Sequence, residues 1–63
     1  MFEPLVLLVE DELAQRTVLS YNIKAEGFSV LEANNGEDAL LLAYENLPDL
    51  IVLDWMLPRM SGL

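Results

Sequence analysis

Two unbroken apolar runs, each ending on a carboxylate, limit most strongly how this chain can fold. Leu5–Val9 reads LVLLV and passes straight into Glu10 and Asp11; Leu50–Leu53 reads LIVL and stops at Asp54. A strand with one wet face alternates apolar and polar residues, whereas a continuous run is apolar on both faces. Both stretches have strand length, so both predict strands of a parallel sheet covered by helices. Between them, residues 28–33 (FSVLEA) alternate Phe28 and Val30 around Ser29, the pattern of an edge strand.

Two helical segments separate the strands. Over residues 12–26, Ala14, Val18, Tyr21 and Ala25 follow helical spacing, and Leu19 and Ile23 widen the stripe. Gly27 stands where a helix commonly ends on a left-handed residue. The second segment opens at Asn35, a good N-cap, with Glu37 and Asp38 at the positive end of the helix and Pro48 closing it. Its predicted buried stripe is Leu40, Ala43, Tyr44 and Leu47. The expected architecture is therefore α/β, in the order β-α-β-α-β. Crossovers between parallel strands are right-handed, so helices on opposite faces require strand order 2-1-3, with the first strand central.

In that order the first and third strands end on the same edge, at the switch point where open α/β sheets bind ligands. Glu10, Asp11 and Asp54 gather there. Three carboxylates in one crevice repel one another unless a cation is present. The chain has no His and no Cys, which excludes thiolate and imidazole ligands and favours a hard ion. Mg²⁺ fits, because it binds through one or two carboxylates, keeps several waters and accepts phosphate oxygens. A carboxylate beside it can act as a nucleophile and form an aspartyl-phosphate. Asp54, alone at its strand end, is the natural acceptor; Glu10 and Asp11 are the natural metal holders, and the Met56 carbonyl is within chain reach of the same ion. Taken singly, each acid has a plainer reading as a solvated strand boundary, and Asp11 as the cap of the first helix. Pro58 and Gly62 read as turn punctuation.

The formal charge is −8, from eleven acids against three bases, and a surface of this sign repels nucleic acid phosphates. Hydrophobic residues make up 54% of the chain, too many for disorder. No apolar run approaches the ~20 residues of a membrane span. The N-terminus carries an acid where a signal peptide needs bases, so the expected location is cytoplasmic, with no membrane partner.

The runs LVLLVEDE, EGFSVLEANNGEDAL and DLIVLDWMLPRMSGL together resemble the first half of the receiver domain of two-component response regulators. DWMLP is similar to the phosphate-regulon class, whose receivers precede a winged-helix DNA-binding domain. The resemblance implies a flavodoxin-like fold and transfer of a phosphoryl group from a sensor histidine kinase to Asp54. It also implies Mg²⁺ held by Glu10, Asp11, Asp54 and the Met56 carbonyl, and a transcription-regulatory role for the parent protein, which is not itself an enzyme. Glu10 replaces the first member of an Asp-Asp pair, and Leu57 stands where Met is frequent.

Length is where the sequence departs from the family. Receivers carry two more strands and three more helices, which supply a hydroxyl residue and a Lys for the phosphoryl group. The bases here are Arg16, Lys24 and Arg59, and the first two are expected on a helix away from the strand ends. Residues 1–63 therefore read as a truncated receiver without its output domain, impaired in accepting phosphate. The bare edge of the third strand, with Met60 and Leu63, predicts a homodimer through that edge or through swapped elements. Two other readings compete: a self-associating structural module without ligand, and an aspartyl-nucleophile phosphohydrolase. The latter places a second Asp two residues after the nucleophile, where this chain has Met56.

Overall fold

The computed structural model describes residues 3–54. Five elements follow one another: β1 (Leu5–Val9), α1 (Leu13–Ala25), β2 (Ser29–Ala33), α2 (Gly36–Asn46) and β3 (Leu50–Leu53). The strands form one parallel sheet in the order β2-β1-β3, the expected 2-1-3. The register runs from Leu5 opposite Ser29 to Val9 opposite Ala33 on one side, and from Val6 opposite Leu50 to Val9 opposite Leu53 on the other.

Successive strand residues point to opposite faces, and the two helices divide those faces between them. Val6 and Val52 line the α1 side with Leu19 and Ile23, whereas Leu7 and Val9 line the α2 side with Ala39 and Ala43. Val6, Leu7 and Leu8 are fully buried, as a continuous apolar run at the sheet centre should be. Each such side chain contributes roughly 1.5–3 kcal/mol relative to exposure. The same expectation fails for β3. Leu50, Ile51 and Leu53 are 54%, 48% and 55% exposed, because both helices pack over β1 and β2 and neither crosses β3.

The helix boundaries follow their capping chemistry. Glu12, in extended conformation, caps α1 and accepts a 3.1 Å hydrogen bond from the Gln15 N–H. The plainer reading of Asp11, as the cap of the first helix, does not hold, because Glu12 fills that place. Gly27 adopts φ +97° after α1, and its N–H donates to the Lys24 carbonyl at 2.9 Å. The Asn35 side chain caps α2 by accepting from the Asp38 N–H at 2.8 Å. Leu47 ends α2 in the left-handed region, at φ 50°, immediately before Pro48.

Both predicted helical stripes require correction in part: Leu19, Ile23 and Ala43 face the sheet as expected, and the other predicted residues do not. In α1, Ala14, Val18, Tyr21 and Ala25 face outward, while Arg16, Leu19, Ser20 and Ile23 turn toward the sheet. In α2, Ala39, Leu42 and Ala43 pack inward; Leu40, Tyr44 and Leu47 are 74%, 85% and 79% exposed. Each helix carries two sets of residues at helical spacing, and the one against the sheet includes a small buried residue, Ser20 in α1 and Ala39 in α2. Ser20 and Ala39 let the helix backbones approach closely, which bulky residues at those places would prevent.

At the opposite end from the acids, two further contacts tie the sheet together. Asp49 Oδ2 accepts from the Leu5 N–H at 2.7 Å, and the Ser29 hydroxyl donates to Glu3 Oε1 at 2.6 Å.

Candidate metal and phosphoacceptor site

Parallel pairing brings the C-terminal ends of all three strands to one edge. The ladder continues past the last paired residues: the Glu10 N–H donates to the Ala33 carbonyl at 3.0 Å, and the Asp54 N–H to the Val9 carbonyl at 3.1 Å. Glu10 and Asp54 therefore stand on adjacent strands at the same level. Asp11 follows on the exposed rim, and Asp54 is half-buried.

Glu10 is the unusual member, at 1% exposed. Its Oε2 accepts a 2.7 Å hydrogen bond from the Glu12 N–H, while Oε1 is buried with no hydrogen-bond partner. The Glu12 N–H bond pulls the Glu10 carboxyl down. Burial, the closeness of the Asp54 and Asp11 carboxyls, and the negative charge of Asp54 outweigh that bond and hold Glu10 above its ordinary value of 4.5. Such a carboxyl either keeps a proton or needs a cation.

A hard cation fits this arrangement on one observation, the buried Glu10 oxygen left without a partner in a carboxyl close to Asp54 and Asp11. Among the described residues no three acids stand together as a group that could hold a metal ion, so Glu10, Asp11 and Asp54 form no ready-made cage. Mg²⁺ does not need one, since water completes its octahedron around one or two carboxylates. The fourth expected donor, the Met56 carbonyl, lies outside the described residues, as do Pro58, Arg59, Met60, Gly62 and Leu63.

Arg16 is a second correction. It was expected away from the strand ends, yet its Nη1 donates to the Glu10 carbonyl at 2.8 Å and its Nε pairs with Glu32 Oε1 at 3.3 Å. One sequence signal points to this. Arg16 lies at the start of α1, where a cation opposes the helix dipole and needs some other partner. Glu32 and the double role of Glu12, cap of α1 and donor to Glu10, carried no such signal.

The sequence matches the family described as "Response regulator receiver domain" over residues 6–63. It is 48% identical over 60 residues to the phosphate regulon transcriptional regulatory protein PhoB of Rhizobium meliloti, covering 95% of this chain and 26% of that protein. It is 47% identical over 58 residues to the alkaline phosphatase synthesis transcriptional regulatory protein PhoP of Bacillus subtilis, covering 92% and 24%. To the transcriptional regulatory protein AfsQ1 of Streptomyces coelicolor it is 49% identical over 59 residues, covering 94% and 26%. The chain thus spans about a quarter of the length of these relatives, all of which are named as transcriptional regulators. No described helix is long and apolar enough to cross a membrane. With its β2-β1-β3 sheet, its acids on one edge and a family match over nearly its whole length, this chain belongs to the response regulator receiver domain family.

Proposed function

We propose that this segment is the phosphoacceptor part of a two-component transcriptional regulator, with Asp54 as the acceptor and a sensor histidine kinase as the donor. An Asp54 carboxylate oxygen attacks the phosphorus, a P–O bond forms, and the bond to the donor breaks with its electron pair leaving on the donor. Glu10, Asp11, Asp54 and the Met56 carbonyl would hold Mg²⁺. When bound, the ion supplies positive charge against the transferring phosphoryl oxygens. Glu10 contributes by presenting its unpartnered oxygen from a buried, backbone-anchored position. Phosphoryl transfer takes place in the cytoplasm, and DNA is contacted through a winged-helix output domain and not by this acidic segment.

The observation carrying this reading is the buried Glu10 carboxyl beside Asp54 at the end of β1 and β3. The test is incubation with acetyl phosphate and Mg²⁺, read by intact mass, with beryllofluoride as a stable mimic. Addition of one phosphoryl group is expected, abolished by Asp54→Asn and by chelation of the ion. Equal labelling of Asp54→Asn would place the acceptor elsewhere. Modification of Asp54 in 63 residues would also show that the family's Lys and hydroxyl residue are dispensable for acceptance.

A second reading concerns assembly. The exposed apolar β3 favours a homodimer, formed through the third-strand edge or by swapped elements.

A further inference from the structure

We propose that Arg16 is a positioning residue for the acid edge, acting through the Glu10 main chain. This rests on the reading of Glu10 as a metal holder. Three bonds fix Glu10: its N–H donates to the Ala33 carbonyl, its carbonyl accepts from Arg16 Nη1 at 2.8 Å, and its Oε2 accepts from the Glu12 N–H. Only Oε1 is left without a partner. The peptide before Glu10 is therefore held by a β-ladder bond through the Glu10 N–H, and the peptide after it by the guanidinium bond to the Glu10 carbonyl. The setting of that second peptide decides where the Glu12 N–H points and which carboxyl oxygen remains available.

Arg16 is itself held. Its side chain is 16% exposed, and its Nε reaches Glu32 Oε1 at 3.3 Å. The planar fork lets one side chain bridge the end of β1 and Glu32 near the end of β2, a span that a single ammonium does not cover. Outer partners of this kind orient the groups that touch a metal, and their loss typically lowers metal affinity about 10–100-fold.

The test compares Arg16→Met, Arg16→Lys and Glu32→Gln in the full 63-residue chain. Mg²⁺ affinity is measured by calorimetry, folded fraction by circular dichroism, and the Glu12 amide and Glu10 carbonyl shifts by NMR without metal. Arg16→Met should lower Mg²⁺ affinity about 10-fold at unchanged folded fraction and displace both shifts. Arg16→Lys should fall between Arg16→Met and the parent. Glu32→Gln, which keeps the Glu10 bond, should leave affinity and shifts in place. Parent-like affinity in Arg16→Met, or an equal loss in Glu32→Gln, would overturn the proposal. If Arg16→Met fails to fold, Arg16→Lys against Glu32→Gln makes the same comparison. If the parent binds no Mg²⁺, the metal reading fails by itself. The NMR shifts then decide the positioning role, and unmoved shifts in the Arg16 variants overturn it.

Discussion

Glu10 combines burial, one hydrogen bond accepted from the Glu12 N–H and two acidic neighbours, and the net effect lifts its carboxyl above the ordinary value of 4.5. The folded chain therefore binds a proton at Glu10 more readily than the unfolded chain does. Below the ordinary value both states are protonated and Glu10 contributes nothing to the pH dependence. As pH rises from there through the raised value, the folded state loses stability, and above it the whole penalty is present. Glu10→Gln, neutral throughout, should remove this slope and raise the urea midpoint at neutral pH without metal. A variant less stable than the parent at neutral pH would contradict the electrostatic account. That Glu10 and Asp54 stand at one edge was legible because parallel pairing alone brings strand ends together. Arg16 was not. A long side chain reaches a partner only after the helix has taken its rotation about its own axis, and spacing did not fix that rotation.

Rotation is also what separated the elements read correctly from their faces read only in part. Strand runs, Gly27 and Asn35 depend on local chemistry: continuous apolarity, a left-handed residue and a side-chain cap. These appear in the structure as expected. The faces of α1 and α2 depend on which stripe fits against β1 and β2, and small residues such as Ser20 and Ala39 won over Tyr21 and Tyr44. The end of α2 carries a local cost that the sequence hid behind Pro48. Leu47 occupies the left-handed region that a Cβ disfavours by roughly 1–2 kcal/mol, and its side chain is exposed. Leu47→Gly should therefore stabilise the chain by about 1 kcal/mol, the strain relieved exceeding the greater freedom of glycine in the unfolded chain. Chemical denaturation monitored by far-ultraviolet circular dichroism checks the sign; a loss of stability would mean that the Leu47 side chain has a packing role.

At the scale of the whole molecule, two opposed forces meet on β3. Its residues expose apolar surface, and among the described residues nothing pairs with its outer edge. Such an edge is a template for another strand. Against association stands a formal charge of −8 on a chain of 63 residues, so that two copies approaching edge to edge repel. Salt distinguishes the two terms. It screens charge over about 10 Å at 0.1 M ionic strength and leaves apolar contact intact. Association driven by β3 should therefore strengthen as salt is added, whereas association driven by ion pairs would weaken. Light scattering coupled to size exclusion at micromolar concentration should show the dimer fraction rising from low to moderate salt. Leu50→Lys, at the end of β3 far from the acids, should lower that fraction at every salt concentration by placing a charge on the edge. A chain that stays monomeric across the series would remove β3 as an interface and leave its exposed residues without a partner in other copies of itself.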